Sequence, residues 1–262
     1  MIARGSKALI GMVHVGALPG TPRSSQTVDQ LVRQAAAEAA VLVEAGFDAV
    51  IVENMHDRPY VNGPHGPETV AAMTLVCAAV RGVVGGRPLG VQVLSRGEKE
   101  ALAIGAACGA QFIRCENFVF SHVADEGLMA DAAAGPLLRY RRAIGAEHVR
   151  VFADIKKKHA SHAMTADVSL ADAAHGAKFF GADGLIVSGT ATGRPVDPSH
   201  LAEVRGATEL PVLVGSGVTP AQVQPLLQHA DGLIVGSWIK VDGVWSNAVD
   251  PRRCREVVAA RG

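Results

Sequence analysis

Short runs rich in Val and Ile alternate along this chain with longer segments rich in Ala. The short runs have the length and composition of buried strands, and the longer segments repeat apolar residues at helical spacing. Eight strands are predicted at 8–15, 48–53, 89–94, 112–116, 149–155, 184–188, 212–215 and 232–236. Eight helices are predicted near 28–45, 68–84, 97–108, 136–145, 168–180, 198–207, 220–228 and 250–260.

Helix-start signals support several of these boundaries. Thr27 with Gln30 matches a capping box, while Asp197 and Thr219 each precede a proline suited to the first helical position. Strands that alternate with helices predict an α/β fold, here a single-domain (β/α)8 TIM barrel over residues 1–262. A doubly wound open sheet is the alternative, but the even spacing and the count of eight favour the barrel.

Two long strand-to-helix connections are predicted, at 54–67 and 117–135, and the second shows little regular structure. In barrel enzymes such loops lie on the face that carries the chemistry.

Composition excludes several classes of function. The chain has 25 Lys and Arg against 25 Asp and Glu, and only 4% aromatic residues. This balance lacks the basic excess that nucleic-acid binding needs, so no nucleic-acid partner is expected. No run of 18 apolar residues and no signal peptide are evident, so no membrane insertion is expected. The four cysteines have no CxxC spacing, which predicts free buried thiols in a cytoplasmic protein.

Polar residues gather at the C-terminal ends of the predicted strands. Apolar residues at alternate positions must face the helices, so the polar residues between them face into the barrel. The inward-facing set is Glu53, Arg114, Glu116, Asp154, Lys156 and Ser188, whereas the face of His14 is ambiguous. A plug of paired charges is one explanation, but ionisable groups from several strands at one end favour a functional site.

Glycine-rich loops follow the last three strands. Glycines let the backbone approach an anion, and loops after strands seven and eight commonly bind phosphate in barrels. The predicted phosphate-binding residues are Gly189, Thr192, Gly193, Gly215, Ser216, Gly217, Gly236 and Ser237. Plain tight turns are the alternative, and the loop at 188–193 either borders the same anion or acts as a mobile lid.

Glu53 and Asp154 are carboxylates from different strands that can divide acid and base roles. Lys158 is a candidate for stabilising negative charge or for Schiff-base chemistry, and the adjacent His159 is a further candidate. Lys157 is expected in a solvated loop.

A divalent metal is a further possibility, although neither HxH nor HExxH spacing supports it. The side chains considered as ligands are His14, Glu53, His56, Asp57, His65, Asp154 and His159. The remaining histidines, including His122, are expected at the surface or in loops without a role.

Motifs along nearly the whole chain resemble those of the BtpA family, also called the BtpA/SgcQ family. They include IGMVH at 10–14, VEN at 52–54, PET at 67–69, FIR at 112–114, DEGL at 125–128, KHA at 158–160 and GSGVT at 215–219. The resemblance implies a (β/α)8 barrel related to ribulose-phosphate-binding barrels. It also implies links to photosystem I accumulation for some members and to sugar-utilisation gene groups for others.

The positions that match the family and look functional are His14, Glu53, Asn54, Asp57, Arg114, Asp154, Lys158 and His159. The chain departs from the family pattern after strand three, where QVLSRG stands at 92–97 in place of an Asn-x-Leu-Arg-Asn-Asp segment. It departs again after Arg114, where Cys115, Glu116 and Asn117 replace Val-Asn.

Two functions follow from these observations. The first is a barrel enzyme, a lyase, isomerase or hydrolase, that acts on a small phosphorylated sugar or nucleoside-like phosphate through carboxylate acid–base catalysis. The second is a non-catalytic assembly or stability factor of the photosystem I type. A homo-oligomer is expected in either case.

Overall fold

Eight parallel strands close into a barrel in a computed structural model that describes residues 2–189 and 196–262. Every strand pairs with its neighbours in sequence, and the last pairs with the first. The strands are β1 Ala8–His14, β2 Ala49–Glu53, β3 Leu89–Gln92, β4 Phe112–Cys115, β5 Arg150–Ile155, β6 Gly184–Val187, β7 Val212–Val214 and β8 Gly232–Val235. The predicted TIM barrel is therefore confirmed, and the doubly wound open sheet is wrong.

Eight α-helices of the described residues surround the barrel and follow the strands in turn. They are α1 Val28–Ala45, α2 Pro67–Val84, α3 Glu98–Cys108, α4 Ala134–Ala143, α5 Leu170–Phe179, α6 Pro198–Ala207, α7 Pro220–Leu227 and α8 Pro251–Ala259. The predicted bounds are within two residues of these. Thr27 and Gln30 form the expected capping box, and Asp197 accepts a hydrogen bond from the Ser199 N–H at the start of α6.

Two apolar layers hold the barrel. Residues that face the helices form the larger layer, and a smaller cluster including Ile51, Phe112 and Phe152 fills the interior. The rings of Phe112 and Phe152 meet edge to face, with centroids 5.5 Å apart. A Cβ at Gly90 would overlap the Phe112 ring, and one at Gly184 would overlap the Phe152 ring. These two glycines therefore leave space for the two phenylalanine rings inside the barrel.

The connection at 117–135 is more regular than expected. Strands His122–Ala124 and Gly127–Met129 form a hairpin, and Ala160–Ser161 pairs with the first of them. We call this three-stranded antiparallel unit the mouth sheet, with Asp125 and Glu126 at its hairpin tip. The prediction of little regular structure here was wrong because strands of two or three residues are too short to show a period.

Helix α2 is long and apolar enough, by length and composition alone, to cross a membrane. It packs instead between α1 and α3, with Met73, Val76 and Val80 buried against the barrel. The apolar residues of α2 are therefore explained by its packing against the barrel and the two neighbouring helices.

Candidate active site

A cavity of about 250 Å³ opens at the C-terminal end of the barrel strands. Many of the residues predicted for the site line it. They are His14, Glu53, Arg114, Lys158, His159, Gly215, Ser216, Gly217, Gly236 and Ser237. The strand-end cluster therefore surrounds a cavity and does not simply plug the barrel.

Glu53 ends β2 and is buried at the cavity wall. Burial raises the pKa of Glu53 to about 7, and the nearby Arg114 and Lys158 cations limit that rise. A carboxyl group with this pKa exchanges a proton near neutral pH, which suits a general acid or base.

His14 faces the cavity beside Glu53, which settles the orientation that alternation left open. Its Nε2 lies 3.6 Å from Oε2 of Glu53, and its Nδ1 lies 2.9 Å from the carbonyl oxygen of Trp245. Burial, with help from the Lys240 cation, lowers the pKa of His14 to about 3. The ring is therefore neutral at pH 7, and because a carbonyl only accepts, Nδ1 donates the proton and Nε2 keeps its lone pair.

Arg114 and Asp154 form a buried, bidentate ion pair. The guanidinium Nε and Nη2 lie 2.7 and 3.0 Å from the two Asp154 oxygens. Asp154 itself does not line the cavity, so the structure places it behind Arg114. A Cβ at Gly215 would lie 3.3 Å from Nη2 of Arg114, which shows that this glycine leaves room for the guanidinium.

Lys158 reaches across the mouth towards the loop after β7. Its Nζ lies 3.2 Å from Oγ of Ser216, and its backbone N–H donates to Oγ of Ser188 over 3.0 Å. Burial and the Arg114 cation lower the pKa of Lys158 to about 8. The amine is therefore mostly protonated at pH 7 yet close to the range of a nucleophilic lysine.

The neighbouring lysines differ from expectation. Lys157 is buried, not solvated, and its Nζ lies 3.1 Å from Oε1 of Glu116, so the prediction of a solvated loop was wrong. Lys156 does not line this cavity, and its Nζ lies 3.4 Å from the Thr165 carbonyl. The strand ends at Ile155 and Lys156 has a φ of 45°, so alternation no longer applies there.

Asn54 is fully buried and lies outside the cavity lining. Its Nδ2 donates to Oδ2 of Asp57 over 2.8 Å, and its Oδ1 accepts from the Leu94 N–H over 2.7 Å. Asp57 in turn accepts from the Leu18 N–H over 2.8 Å. Asn54 and Asp57 therefore connect the loops after β1, β2 and β3 and position the rim of the mouth.

The glycine-rich loops after β7 and β8 reach the cavity. Gly217 has a φ of 70° just before α7, a left-handed conformation that favours glycine. A Cβ at Gly236 would lie 3.3 Å from Nε2 of His14. Of the loop after β6, Gly189 does not line the cavity, while Thr192 and Gly193 lie outside the described residues.

No three His, Cys, Asp or Glu side chains converge as a metal site within residues 2–189 and 196–262. His56 packs its ring on Trp245 at 4.9 Å, and His65 bonds the Ser95 carbonyl. His122 is buried, and burial lowers its pKa to about 4, so its expected surface position was wrong.

The residues of the cavity wall that sequence reasoning missed include Arg58, Tyr60 and Trp245. The Arg58 guanidinium lies 4.5 Å from the ring centroid of Trp245, a cation–π contact between two distant loops. Arg58 and Trp245 both lie outside the helices and strands, so no periodicity indicates that their two loops meet.

Solved structures with low sequence identity share the fold. A chain of the tryptophan synthase complex of Pyrococcus furiosus matches with a TM-score of 0.64 and 12% identity, covering 99% of this chain and 100% of that chain. The thiamine phosphate pyrophosphorylase of Pyrococcus furiosus matches with a TM-score of 0.60 and 12% identity, over 98% and 96%. A 3-hexulose-6-phosphate synthase matches with a TM-score of 0.58 and 18% identity, over 97% and 100%.

Relatives in sequence extend over nearly the whole chain. An uncharacterized mitochondrial protein of Caenorhabditis elegans is 44% identical over 249 residues, which cover 94% of this chain and 89% of the relative. The photosystem I biogenesis protein BtpA of Synechocystis is 35% identical over 253 residues, covering 96% and 87%. The BtpA family model matches residues 5–261, and the chain therefore belongs to the BtpA family.

Proposed function

We propose that this protein is an enzyme that acts on a small phosphorylated sugar or nucleoside-like phosphate by acid–base catalysis at the barrel mouth. One observation carries the proposal: the Glu53 carboxyl group lines a cavity together with Lys158 and Arg114, and its pKa is about 7. Such a group transfers protons efficiently near neutral pH, and the two cations stabilise negative charge that develops on a substrate.

Each residue then has a distinct role. Glu53 moves the proton, and Lys158 and Arg114 stabilise an oxyanion of the lyase, isomerase or hydrolase reaction. Asp154 holds Arg114 through both carboxylate oxygens and acts as a positioning residue. His14 is neutral and presents the Nε2 lone pair beside Glu53.

The glycine-rich loops are the proposed phosphate site. Ser216, Gly217, Gly236 and Ser237 line the cavity on the side of β7 and β8, and Lys158 contacts Ser216. Backbone N–H groups of such loops bind phosphate in many barrels. Two structural neighbours, a thiamine phosphate pyrophosphorylase and a 3-hexulose-6-phosphate synthase, support the same ligand class.

Ligand-dependent thermal stabilisation across a panel of sugar phosphates and inorganic phosphate tests this proposal. Phosphorylated compounds should raise the melting temperature of the wild type, and Lys158→Met should abolish the shift. The exposed Lys99→Met is the matched control and should keep it. No shift with any phosphorylated compound would refute the phosphate site.

A second candidate function is a non-catalytic assembly or stability factor, which is favoured by the name of the Synechocystis relative. It predicts that Glu53→Gln supports the cellular role as well as the wild type does. Loss of that role in a variant that remains folded and abundant would favour the enzyme.

We also propose a cytoplasmic homo-oligomer. The four cysteines are free and buried, which suits a reducing compartment. Phe179 is 86% exposed beside the half-exposed Phe180, an apolar pair suited to an interface. Sedimentation should show an oligomer that Phe179→Ser with Phe180→Ser dissociates. A monomeric wild type would contradict it.

A further inference from the structure

The cavity wall opposite the glycine-rich loops is rich in hydrogen-bond acceptors. In the closed order of the barrel, β3 and β4 lie across from β7 and β8. The C-terminal ends of β3 and β4 bring Gln92 and Glu116 to the cavity, and the tip of the mouth sheet adds Asp125 and Glu126. One side of the cavity thus presents glycines, hydroxyls and Lys158, and the other presents carboxylates and a carboxamide.

The hairpin tip places two accessible carboxylates over the cavity. Asp125 is exposed and Glu126 is half-buried, and both lie near enough to His159 to counteract the lowering of its pKa. Neither carboxylate has a hydrogen-bond or ion-pair partner among the residues that the structure describes. They are therefore free to accept hydrogen bonds from a ligand.

Gln92 supplies an independent indication of a ligand. Its side chain is 2% exposed, lines the cavity and makes no side-chain hydrogen bond with any described residue. Its Oε1 is buried without a partner, as is Oε2 of Glu116. Buried polar groups are nearly always hydrogen-bonded, so these unpaired oxygens at the cavity wall are available to accept hydrogen bonds from a bound molecule.

We propose that Gln92, Glu116, Asp125 and Glu126 form a hydroxyl-binding subsite that reads the vicinal hydroxyls of a sugar whose phosphate is held by the opposite loops. The proposal rests on the proposed function, because it takes the phosphate site as the other end of the ligand. Carboxylates paired with hydroxyl donors form strong hydrogen bonds, and a site built to bond a hydroxyl rejects an analogue that lacks it. The cavity volume of about 250 Å³ is near the lower end for ligand pockets and suits a small sugar phosphate.

The test compares ribose 5-phosphate with 2-deoxyribose 5-phosphate, which differ by one hydroxyl of a vicinal pair, using inorganic phosphate as the reference. Calorimetric titration of the wild type should show at least about tenfold tighter binding of ribose 5-phosphate. The double variant Asp125→Asn with Glu126→Gln, at the tip of the mouth sheet, should reduce this ratio below about threefold. Removing negative charge should strengthen the binding of both sugar phosphates by the same factor. That factor cancels in the ratio of the two affinities, so the ratio reports the hydroxyl contact alone.

Glu44→Gln is the matched control, since it neutralises an exposed carboxylate at the far end of α1 and should leave the ratio unchanged. Gln92→Met, which has nearly the same volume, should also lower the ratio. Equal binding of the two sugars by the wild type, or an unchanged ratio in the double variant, would overturn the hydroxyl subsite and leave the phosphate proposal intact. If neither sugar phosphate nor inorganic phosphate binds, both proposals are refuted.

Discussion

Glu53→Gln should stabilise the folded protein at neutral and alkaline pH. The folded state holds the pKa of Glu53 at about 7, against 4.5 for an ordinary glutamate, chiefly because burial disfavours the charged form. Each pKa unit is equivalent to about 1.36 kcal/mol, so the ionised carboxylate lowers the free energy of unfolding by about 3 kcal/mol above pH 7. Glutamine has nearly the same shape and carries no charge, so the variant avoids this penalty.

The direction with pH follows from proton binding. Below pH 4.5 the carboxyl is protonated in both states and has no effect. Between pH 4.5 and 7 only the folded state keeps the proton, so the contribution of Glu53 to the free energy of unfolding falls by about 1.4 kcal/mol per pH unit as pH rises. The stability advantage of Glu53→Gln should therefore grow across this interval and level off above it. Other titrating groups, such as His14, are common to both proteins and largely cancel in the difference.

Urea denaturation of both proteins at pH 4, 5.5, 7 and 8.5 measures this difference. An advantage of about 3 kcal/mol corresponds to a melting-temperature rise of roughly 6–12 °C, which thermal scans resolve. Glu44→Gln is the control, because Glu44 is exposed and its substitution removes a charge without relieving a burial penalty. A difference that stays flat from pH 4.5 to 7 would refute the buried, proton-retaining carboxyl and with it the acid–base role of Glu53.

Two further predictions concern the charged neighbours. Asp154→Ala leaves the buried Arg114 guanidinium without its counter-ion and should lower the free energy of unfolding by about 3–5 kcal/mol in urea denaturation. Adding Arg114→Met should recover part of that loss, and an unaltered stability in Asp154→Ala would contradict the ion pair. Lys158 should be acylated with a midpoint near pH 8, against about 10.5 for an ordinary lysine, as followed by peptide mass spectrometry. Exposed Lys99 is the internal reference for reaction with the reagent, and a Lys158 midpoint near pH 10.5 would show that Lys158 is not buried as described.

Strand alternation made part of the site predictable. Glu53 and Arg114 were found because each sits within a regular strand, where alternation decides the inward face. Alternation stops where hydrogen bonding to the next strand stops, so it did not place Lys156, which follows Ile155, the last residue of β5. Arg58 and Trp245 are held in loops by a contact between residues far apart in sequence, which no local pattern reveals.

The sequence by itself determined the architecture of this protein, because strand and helix periods, caps and glycines are local properties. It also determined that ionisable residues gather at the strand ends. Only the tertiary structure decided their chemistry, since a pKa depends on burial and on neighbours in space. Glu53 and Asp154 look alike in sequence, yet one lines the cavity with a pKa of about 7 and the other lies behind Arg114 with both oxygens engaged. Desolvation and ion pairing act through space, and the fold alone sets those distances.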